Sequence, residues 1–193
     1  MSESRASATL FDDVARQIRD VAFRADITVH EIAAPEGLAP HALALAANVR
    51  PDEDGDSSYG TGRLVVLYDP DEPEAWGGAW RIVAFAQAPL EPEIGTDPLL
   101  SEVAWSWLMD ALGSRDAHFH AASGTATKTL SKGFGGLASE RDGAQIELRA
   151  SWSPSGPLPA HVEAWAELLG MLAGLPPGSE GVAVLGARKA ARG

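Results

Sequence analysis

Short strand-forming segments joined by short turns constrain the fold of this chain more than any other feature. Residues 62–69 are rich in β-branched and apolar residues, a turn with two prolines follows at 69–73, and residues 80–86 form a second such segment. Parallel strands need a crossover connection of about a dozen residues or more, whereas antiparallel strands do not. These segments therefore predict neighbouring strands of an antiparallel sheet.

Four further segments extend the sheet. Residues 27–32 alternate and predict a strand or an extended arm, and residues 41–49 favour a strand over a helix. Residues 117–130 and 144–152 predict two more strands, the second with apolar and polar side chains on opposite sides. Because the first two assignments leave alternatives open, we expect a sheet of about five strands.

Three segments have helical patterns. Residues 9–24 place apolar side chains on one face, with Thr9 as the N-cap. Residues 97–112 begin with a cap residue and a proline and form a middle helix, and a third helix covers 159–173. The element order, α-β-β-β-α-β-β-α, predicts an α+β fold with helices packed on an antiparallel sheet. In element order alone it resembles the secretion-chaperone and YbjN-like folds, which commonly form dimers.

The length of the chain suits a single domain. A chain of 193 residues is long enough for one core to remove roughly 70% of the unfolded surface from water. We expect residues 9–176 to form this domain, with residues 1–8 disordered and residues 177–193 forming a flexible tail.

Composition restricts the partners and the compartment. The chain has 15 Lys and Arg residues against 27 Asp and Glu, and the resulting charge of −12 repels phosphate backbones and argues against nucleic acid as a partner. The absence of cysteine excludes disulfides, thiolate nucleophiles and cysteine-ligated metals. The N-terminus is polar and no apolar stretch is long enough to span a membrane, so we predict a cytoplasmic protein without membrane contact.

The middle helix is apolar around most of its circumference. Its polar residues Glu102, Ser106 and Asp110 fall within one sector of about 80°. Trp105 and Trp107 are two positions apart and therefore point about 160° away from each other. Because one sheet face cannot cover both indoles, the helix has a second neighbour, which is either another helix of the chain or a partner chain.

This surplus of apolar surface supports our leading functional hypothesis. The chain is interpreted as a non-enzymatic protein-binding or adaptor domain that acts as a homodimer and holds an unidentified protein partner. Tryptophan and methionine are enriched at such interfaces. The predicted interface residues are Trp105, Trp107, Met109 and Leu112. The sequence predicts no cofactor and favours this hypothesis over an enzyme.

The alternative hypothesis is a small-molecule-binding protein or an enzyme, with a pocket between the sheet and the helices. The pocket candidates are His118, His120, Ser123, Thr125, Arg149 and Trp152. His118 and His120 have a spacing that zinc uses, but the sequence fixes no third ligand, so we predict no metal site. His161, alone in the first turn of the last helix, is interpreted as a packing or capping group and not as a base.

No motif in the sequence points to catalysis. The acidic loop at 52–58 resembles the first half of a calcium-binding loop, but Ser57 replaces the required glycine and Arg63 the required glutamate. The glycine-rich stretches at 123–125 and 133–136 do not begin a helix, so neither forms a phosphate-binding loop. No nucleophile-elbow motif occurs. We therefore predict no catalytic residues.

Several stretches between Phe23 and Pro176 are specific when they are taken together. They are Phe23-Arg24, Ile27-Thr28-Val29, residues 38–70, Glu74-Ala75-Trp76, Asp97-Pro98-Leu99-Leu100, Trp105-Ser106-Trp107-Leu108, Ala122-Ser123-Gly124-Thr125, Phe134-Gly135-Gly136 and Arg149-Ala150-Ser151-Trp152. Through them the chain resembles a family of actinobacterial proteins known as domain of unknown function 3000. The resemblance implies a cytoplasmic protein, and it transfers no catalytic residue because the family has no accepted ones.

Overall fold

The computed structural model describes residues 2–50, 59–137 and 143–176 of the chain. The helices are α1 (Ser2–Arg19), α2 (Pro92–Gly95), α3 (Leu100–Ser114) and α4 (Leu158–Leu172). The strands are β1 (Ile27–Ile32), β2 (His41–Val49), β3 (Thr61–Tyr68), β4 (Trp80–Leu90), β5 (Phe119–Ser131) and β6 (Gly143–Pro154). These elements confirm the predicted α+β fold. None of the described helices is both long enough and apolar enough to cross a bilayer.

All six strands of the described residues belong to one antiparallel sheet with the order β1-β2-β3-β4-β6-β5. The first four strands pair with their neighbours in sequence. After β4 the chain passes through α2 and α3 and returns as β5, and β6 then enters the sheet between β4 and β5. As a result β5 is an edge strand, held to the sheet by β6.

The sheet has six strands and not about five, because both segments with open alternatives are strands. β1 and β2 pair antiparallel, with Ile27 opposite Val49 and Ile32 opposite Ala44. Each strand supplies the backbone hydrogen-bond partners that the other needs, and β2 gains further partners from β3. Local propensity does not include this mutual pairing, which is why the sequence left both segments undecided.

The first helix begins and ends earlier than its pattern predicts. α1 covers Ser2–Arg19 instead of 9–24, so the start of the chain, predicted as disordered, is helical from Ser2. At its C-terminal end, Arg19 forms an ion pair with Glu31 of β1 at 2.8 Å. This contact turns the chain from the last helical turn toward the sheet. The acidic loop predicted at 52–58 and the tail predicted at 177–193 lie outside the described residues.

The three longer helices cover one face of the sheet, and the short helix α2 contacts β5 and β6 on the same face. α4 lies across its centre and contacts β2, β3, β4 and β6. Gly62 of β3 permits this approach, because a Cβ at that position would lie 2.7 Å from Leu169 and 2.9 Å from Trp165 of α4. α3 packs beside α4 over β5 and β6, and α1 packs beside α4 over β2.

An aromatic cluster fixes α1 on the sheet. His41, Tyr68 and Trp80 are register partners on three adjacent strands. The ring of Phe11 from α1 stacks on them, with centroid distances of 5.3, 6.4 and 6.0 Å respectively. Stacked rings of this kind add a directional contribution to apolar burial, so α1 is held at one position along β2 to β4.

The apolar circumference of α3 is covered largely within one chain. Its buried residues are Leu100, Ala104, Leu108, Ala111 and Leu112. On one flank Trp105 lies over Gly124 of β5, where an added Cβ would be 2.6 Å from the indole. The second neighbour of the helix is α4 of the same chain. Of the two alternatives that the sequence left, the intramolecular one is therefore observed.

Replacing Gly124 with alanine is expected to lower the free energy of unfolding by about 1 to 3 kcal/mol. The new Cβ would meet the carbonyl oxygen of Arg149 and the ring of Trp105, so the strand or the helix has to move. Urea unfolding followed by tryptophan fluorescence measures the loss. Gly113→Ala is the control, because a Cβ there has no neighbour within 4 Å and alanine favours the helix. Equal stability of both variants would contradict this packing of Trp105 on β5.

Candidate functional site

The sheet has one face covered by helices and one face on which no described helix packs. Burial along β6 shows the division. The helix-facing residues of β6 are Ala144, Ile146, Leu148, Ala150 and Trp152, all buried. The residues between them point to the opposite side, as the sequence predicted for this segment. We call this opposite side of the sheet the open face.

Three rows of register partners cross the open face from β2 to β5. The first row contains Ala42, Leu67 and Arg81, continued by the pair Ser153 and His120. The middle row contains Ala44, Val65, Val83, Ser151 and Ser123. The third row contains Ala46, Arg63, Phe85, Arg149 and Thr125. The middle row is apolar from β2 to β4 and ends in two serines, and it lies between two rows that carry arginines.

The open face is basic although the chain carries a charge of −12. Among its described strand residues are three arginines, Arg63, Arg81 and Arg149, against one carboxylate, Glu147. Arg149 pairs with Glu147 at 2.6 Å, and its guanidinium lies 5.7 Å from the ring centroid of Phe85. The remaining positive charge favours a partner that brings carboxylates.

Arg81 is held by neutral acceptors from two strands. Its Nη1 donates to the carbonyl oxygen of Ala121 and to Oγ of Ser153, both at 3.0 Å. Its Nη2 donates to Oγ of Ser151 at 2.7 Å. Ser151 in turn lies 3.5 Å from Oγ of Ser123 on β5. The guanidinium thus has a fixed position in a cradle of hydroxyl and carbonyl oxygens.

A bulge in β5 supplies the carbonyl group of this cradle. The register with β6 shifts between His120 and Ser123, and Ala121 within the shift has a φ of 50°, in the left-handed region. Non-glycine residues adopt this conformation rarely, and β-bulges redirect groups next to functional sites. Here the irregularity brings the carbonyl oxygen of Ala121 to Arg81.

Arg81 differs from the other half-buried arginines of the described residues, Arg24 and Arg115. Arg24 pairs with Asp26, and Arg115 pairs with two glutamates of α4 at 3.1 and 2.9 Å. Arg81 forms no ion pair with any described residue, so only neutral acceptors meet its charge.

Burial lowers the pKa of Arg81, because part of the guanidinium is removed from water. Leu67, its register partner on β3, is itself only 4% exposed and supplies apolar surface beside it. An arginine still keeps its charge at neutral pH. A partly desolvated cation without a counter-ion is the group that gains most from a bound anion.

His120 borders the cradle and connects it to the loop after β3. Its Nε2 lies 3.2 Å from the carbonyl oxygen of Gly77, and its Nδ1 lies 3.4 Å from Oγ of Ser155. Gly77 has a φ of 68° and would bring a Cβ within 3.2 Å of the imidazole, so this approach requires glycine. The ring is therefore positioned from two sides.

The predicted pocket residues lie on different sides of the sheet. His120, Ser123, Thr125 and Arg149 lie on the open face, and His118 is exposed just before β5. Trp152 points to the covered face, where its indole donates a hydrogen bond to Nδ1 of His161 at 3.1 Å. Because alternate strand residues face opposite ways, the six side chains do not form the predicted pocket between the sheet and the helices.

The predicted interface residues of α3 differ in exposure. Trp105, Trp107 and Met109 are half-buried against the core, and Leu112 is 0% exposed. The solvent side of α3 carries the polar residues Glu102, Ser106 and Asp110, together with Val103, which is 38% exposed.

Sequence reasoning did not identify Arg81 or Ser153. One signal was present: Arg81 is the cation within the apolar segment at 80–86, at a position that alternates with the helix-facing residues. The cradle itself has no local signal, because its parts come from β4, β5 and β6. Within the described ranges no group of three or more His, Asp or Glu side chains could hold a metal ion, so the pair His118 and His120 has no third ligand there.

A second concave surface lies between α3, α4 and the connection that follows α1. This groove has a volume of about 690 Å³ and is open to solvent. Its charged groups include Arg24 and Arg115, and both already have carboxylate partners. The surface of the groove therefore combines apolar side chains from α4 with charged side chains that already form ion pairs.

His161 is the buried polar partner of Trp152, 0% exposed. Burial lowers the pKa of His161 from 6.5 to about 4. The backbone of Ser155 raises this pKa, and the positive charge of His118 lowers it further. Nε2 of His161 has no hydrogen-bond partner of normal geometry among the described residues. A neutral imidazole that accepts from an indole is a packing group, which agrees with the sequence interpretation.

The contribution of His161 to the free energy of unfolding is expected to fall as the pH drops from about 6.5 to about 4 and to level off below pH 4. In that window the unfolded chain takes up a proton that the folded chain does not, so acid favours unfolding by about 3 kcal/mol. Urea unfolding across this range measures the slope. His161→Gln should reduce it, and His30→Gln, at an exposed histidine of β1, should not. The same slope in all three proteins would contradict the assignment.

The family described as "Protein of unknown function (DUF3000)" matches residues 7–183 of the chain. This match confirms the resemblance predicted from the sequence. No curated protein and no solved structure matches the chain. The likeness to secretion-chaperone and YbjN-like folds therefore stays a prediction.

Proposed function

We propose that this protein, which belongs to the DUF3000 family, is a cytoplasmic, non-enzymatic protein-binding domain that acts as a homodimer. In this proposal the open face holds an acidic partner protein and the edge strand β5 joins two copies. One observation carries it: a basic sheet face on which no described helix packs, in a chain whose net charge is −12.

The open face has the composition of a protein interface. Val83 at its centre is 40% exposed, and Val65 beside it on β3 is half-buried. Interfaces commonly combine an apolar centre with a polar rim, in which arginine is enriched. Here Arg63 and Arg149 lie on one side of the centre and Arg81 on the other. A partner with an apolar side chain flanked by carboxylates complements this pattern.

The β5 edge has the properties needed to pair with a second copy. Among the described strands β5 pairs only with β6, and its register is regular from Ser123 to Ser131. An edge strand presents unpaired backbone N–H and C=O groups along its outer side. The charged residue in this stretch is Lys128, whose Nζ donates to the carbonyl oxygen of Asp97 at 2.7 Å. Two copies can therefore approach antiparallel here without a row of like charges.

The proposal assigns the partner surface to the sheet and not to α3. α3 was predicted as an interface because one sheet face could not cover both of its tryptophans. α4 of the same chain supplies the missing cover, and the solvent side of α3 is mostly polar. This cover within one chain supports the choice of the sheet over α3 as the partner surface.

A small-molecule-binding role is the second candidate, and the groove beside α4 is the observation that favours it. Its volume of about 690 Å³ lies within the range of small-molecule sites. Its arginines are engaged by carboxylates, so the groove favours a neutral or apolar ligand. Thermal-shift screening with such compounds tests this role.

The double variant Thr127→Lys, Thr129→Lys is expected to weaken the dimer about tenfold or more, because like charges would meet across the two-fold axis. Both threonines are exposed, and Thr127 lies opposite Glu147, so the new lysine does not disturb the pairing with β6. Size-exclusion chromatography with light scattering over a concentration series measures the dissociation constant.

Thr28→Lys is the matched control, since Thr28 is an exposed threonine on the opposite edge strand. This variant should dimerise like the wild type. A wild-type protein that is monomeric at tens of micromolar, or equal dissociation constants for all three proteins, would remove the homodimer from the proposal.

Val83→Glu is expected to abolish partner binding, because it places a carboxylate at the exposed centre of the basic face. Affinity capture from cells that make the protein, compared by quantitative mass spectrometry, measures this. Proteins that the wild type captures should be lost with Val83→Glu and kept with Thr28→Glu. They should also be released by raised salt, since exposed charges contribute to the contact. If Val83→Glu and Thr28→Glu capture the same proteins, the open face is not the partner site.

A further inference from the structure

The guanidinium of Arg81 has two N–H donors that the cradle does not use. Arginine has five such donors. Nη1 uses both of its hydrogens, on Ala121 and Ser153, and Nη2 uses one, on Ser151. For the Nε–H and the second Nη2–H, no acceptor occurs among the described residues.

These two donors lie on adjacent nitrogens of a planar group. Together they form a fork that can donate two parallel hydrogen bonds to the two oxygens of one carboxylate. The three bonds to neutral acceptors fix the plane of the guanidinium, so little side-chain freedom is lost when an anion binds. Arg81 is in this respect better prepared for an anion than an exposed arginine of the same face such as Arg63.

The surroundings of the fork match a single negative charge. Arg81 is the cation of the cradle, and the groups around it, Ser123, Ser151 and Ser153, are neutral. Serine hydroxyls can rotate to donate to an anion. A phosphate dianion would leave a charge that the cradle does not neutralise, whereas a carboxylate matches one guanidinium.

We infer that Arg81 is the anchor of the open face and that its Nε and Nη2 donors bind one carboxylate of an acidic side chain of the partner protein. The inference rests on the proposed function and names the chemical group that the face recognises. It adds a specific contact to the general attraction of a basic surface, and it makes Arg81 a binding residue.

Titration of the ¹⁵N-labelled protein with acetate, at constant ionic strength set by chloride, tests this contact directly. The Nε–H cross-peak of Arg81, assigned through bonds, should shift saturably with a dissociation constant that is roughly millimolar. In Arg81→Lys, which keeps the charge and loses the fork, the shifts of Ser151 and Ser153 should require at least about tenfold more acetate. Inorganic phosphate at the same ionic strength should bind more weakly than acetate.

Arg63→Lys is the matched control, because it makes the same change at an exposed arginine of the same face. It should leave the acetate titration unchanged. A cross-peak of Arg81 that does not saturate, or an equal effect of both substitutions, would overturn the site. Binding of phosphate in preference to acetate would overturn the choice of a carboxylate. If Arg81→Lys fails to fold, the wild-type titration still tests the site, because saturation is measured at the Nε–H of Arg81 itself.

Partner capture separates this inference from the proposed function. Capture that depends on Val83 but is the same with Arg81→Lys would leave the open face as the partner site and refute the carboxylate anchor. Saturable acetate binding at Arg81, combined with capture that does not depend on Val83, would support the anchor and refute the partner site. Loss of capture with both Arg81→Lys and Val83→Glu, but not with Thr28→Glu, is the result expected if both hold.

Discussion

The packing of α4 on the centre of the sheet is the contact on which the other features depend. It needs Gly62, since any side chain there would collide with Leu169 and Trp165. The indole nitrogen of Trp165 also donates to the carbonyl oxygen of Phe85 at 3.3 Å, which ties the helix to β4. α1 and α3 then pack on either side of α4. Antiparallel sheets commonly have one face packed and the other face solvated, so the opposite face is left for other contacts.

This one-sided cover determines the chemistry of the open face. On β4 the residues that meet α4 must be small or apolar, as Ile82 and Ala84 are. Arg81 and Val83 alternate with them and face the open side, so they need not be small or apolar. The entry of β6 between β4 and β5 then brings two serines beside Arg81, and the bulge in β5 adds a carbonyl oxygen. The cradle is thus a consequence of strand order and not of a local motif.

Some features of the fold are defined within one segment of the sequence, and others depend on contacts between segments. The strand predicted at 62–69 is observed at Thr61–Tyr68, and the helix predicted at 159–173 is observed at Leu158–Leu172, because periodicity within one segment defines each of them. The end of α1 and the pairing of β1 with β2 depend on contacts between segments, and the sequence did not decide them. The cradle is the extreme case, since Arg81 bonds to residues 40 to 72 positions away.

The negative charge of the whole chain favours basic partners, whereas the positive charge of the open face favours acidic ones. The distance of the charges from the face determines which of them a bound partner meets. At physiological salt, charges separated by more than about 8 Å are largely screened when they are exposed. The acidic residues elsewhere on the chain therefore contribute little at the middle row, whereas Arg63, Arg81 and Arg149 lie in the rows directly beside it. A charge of −12 keeps the protein apart from polyanions such as nucleic acids. It does not prevent a protein carboxylate from reaching a desolvated arginine at close range, so the local charge of the face is the better guide to its partner.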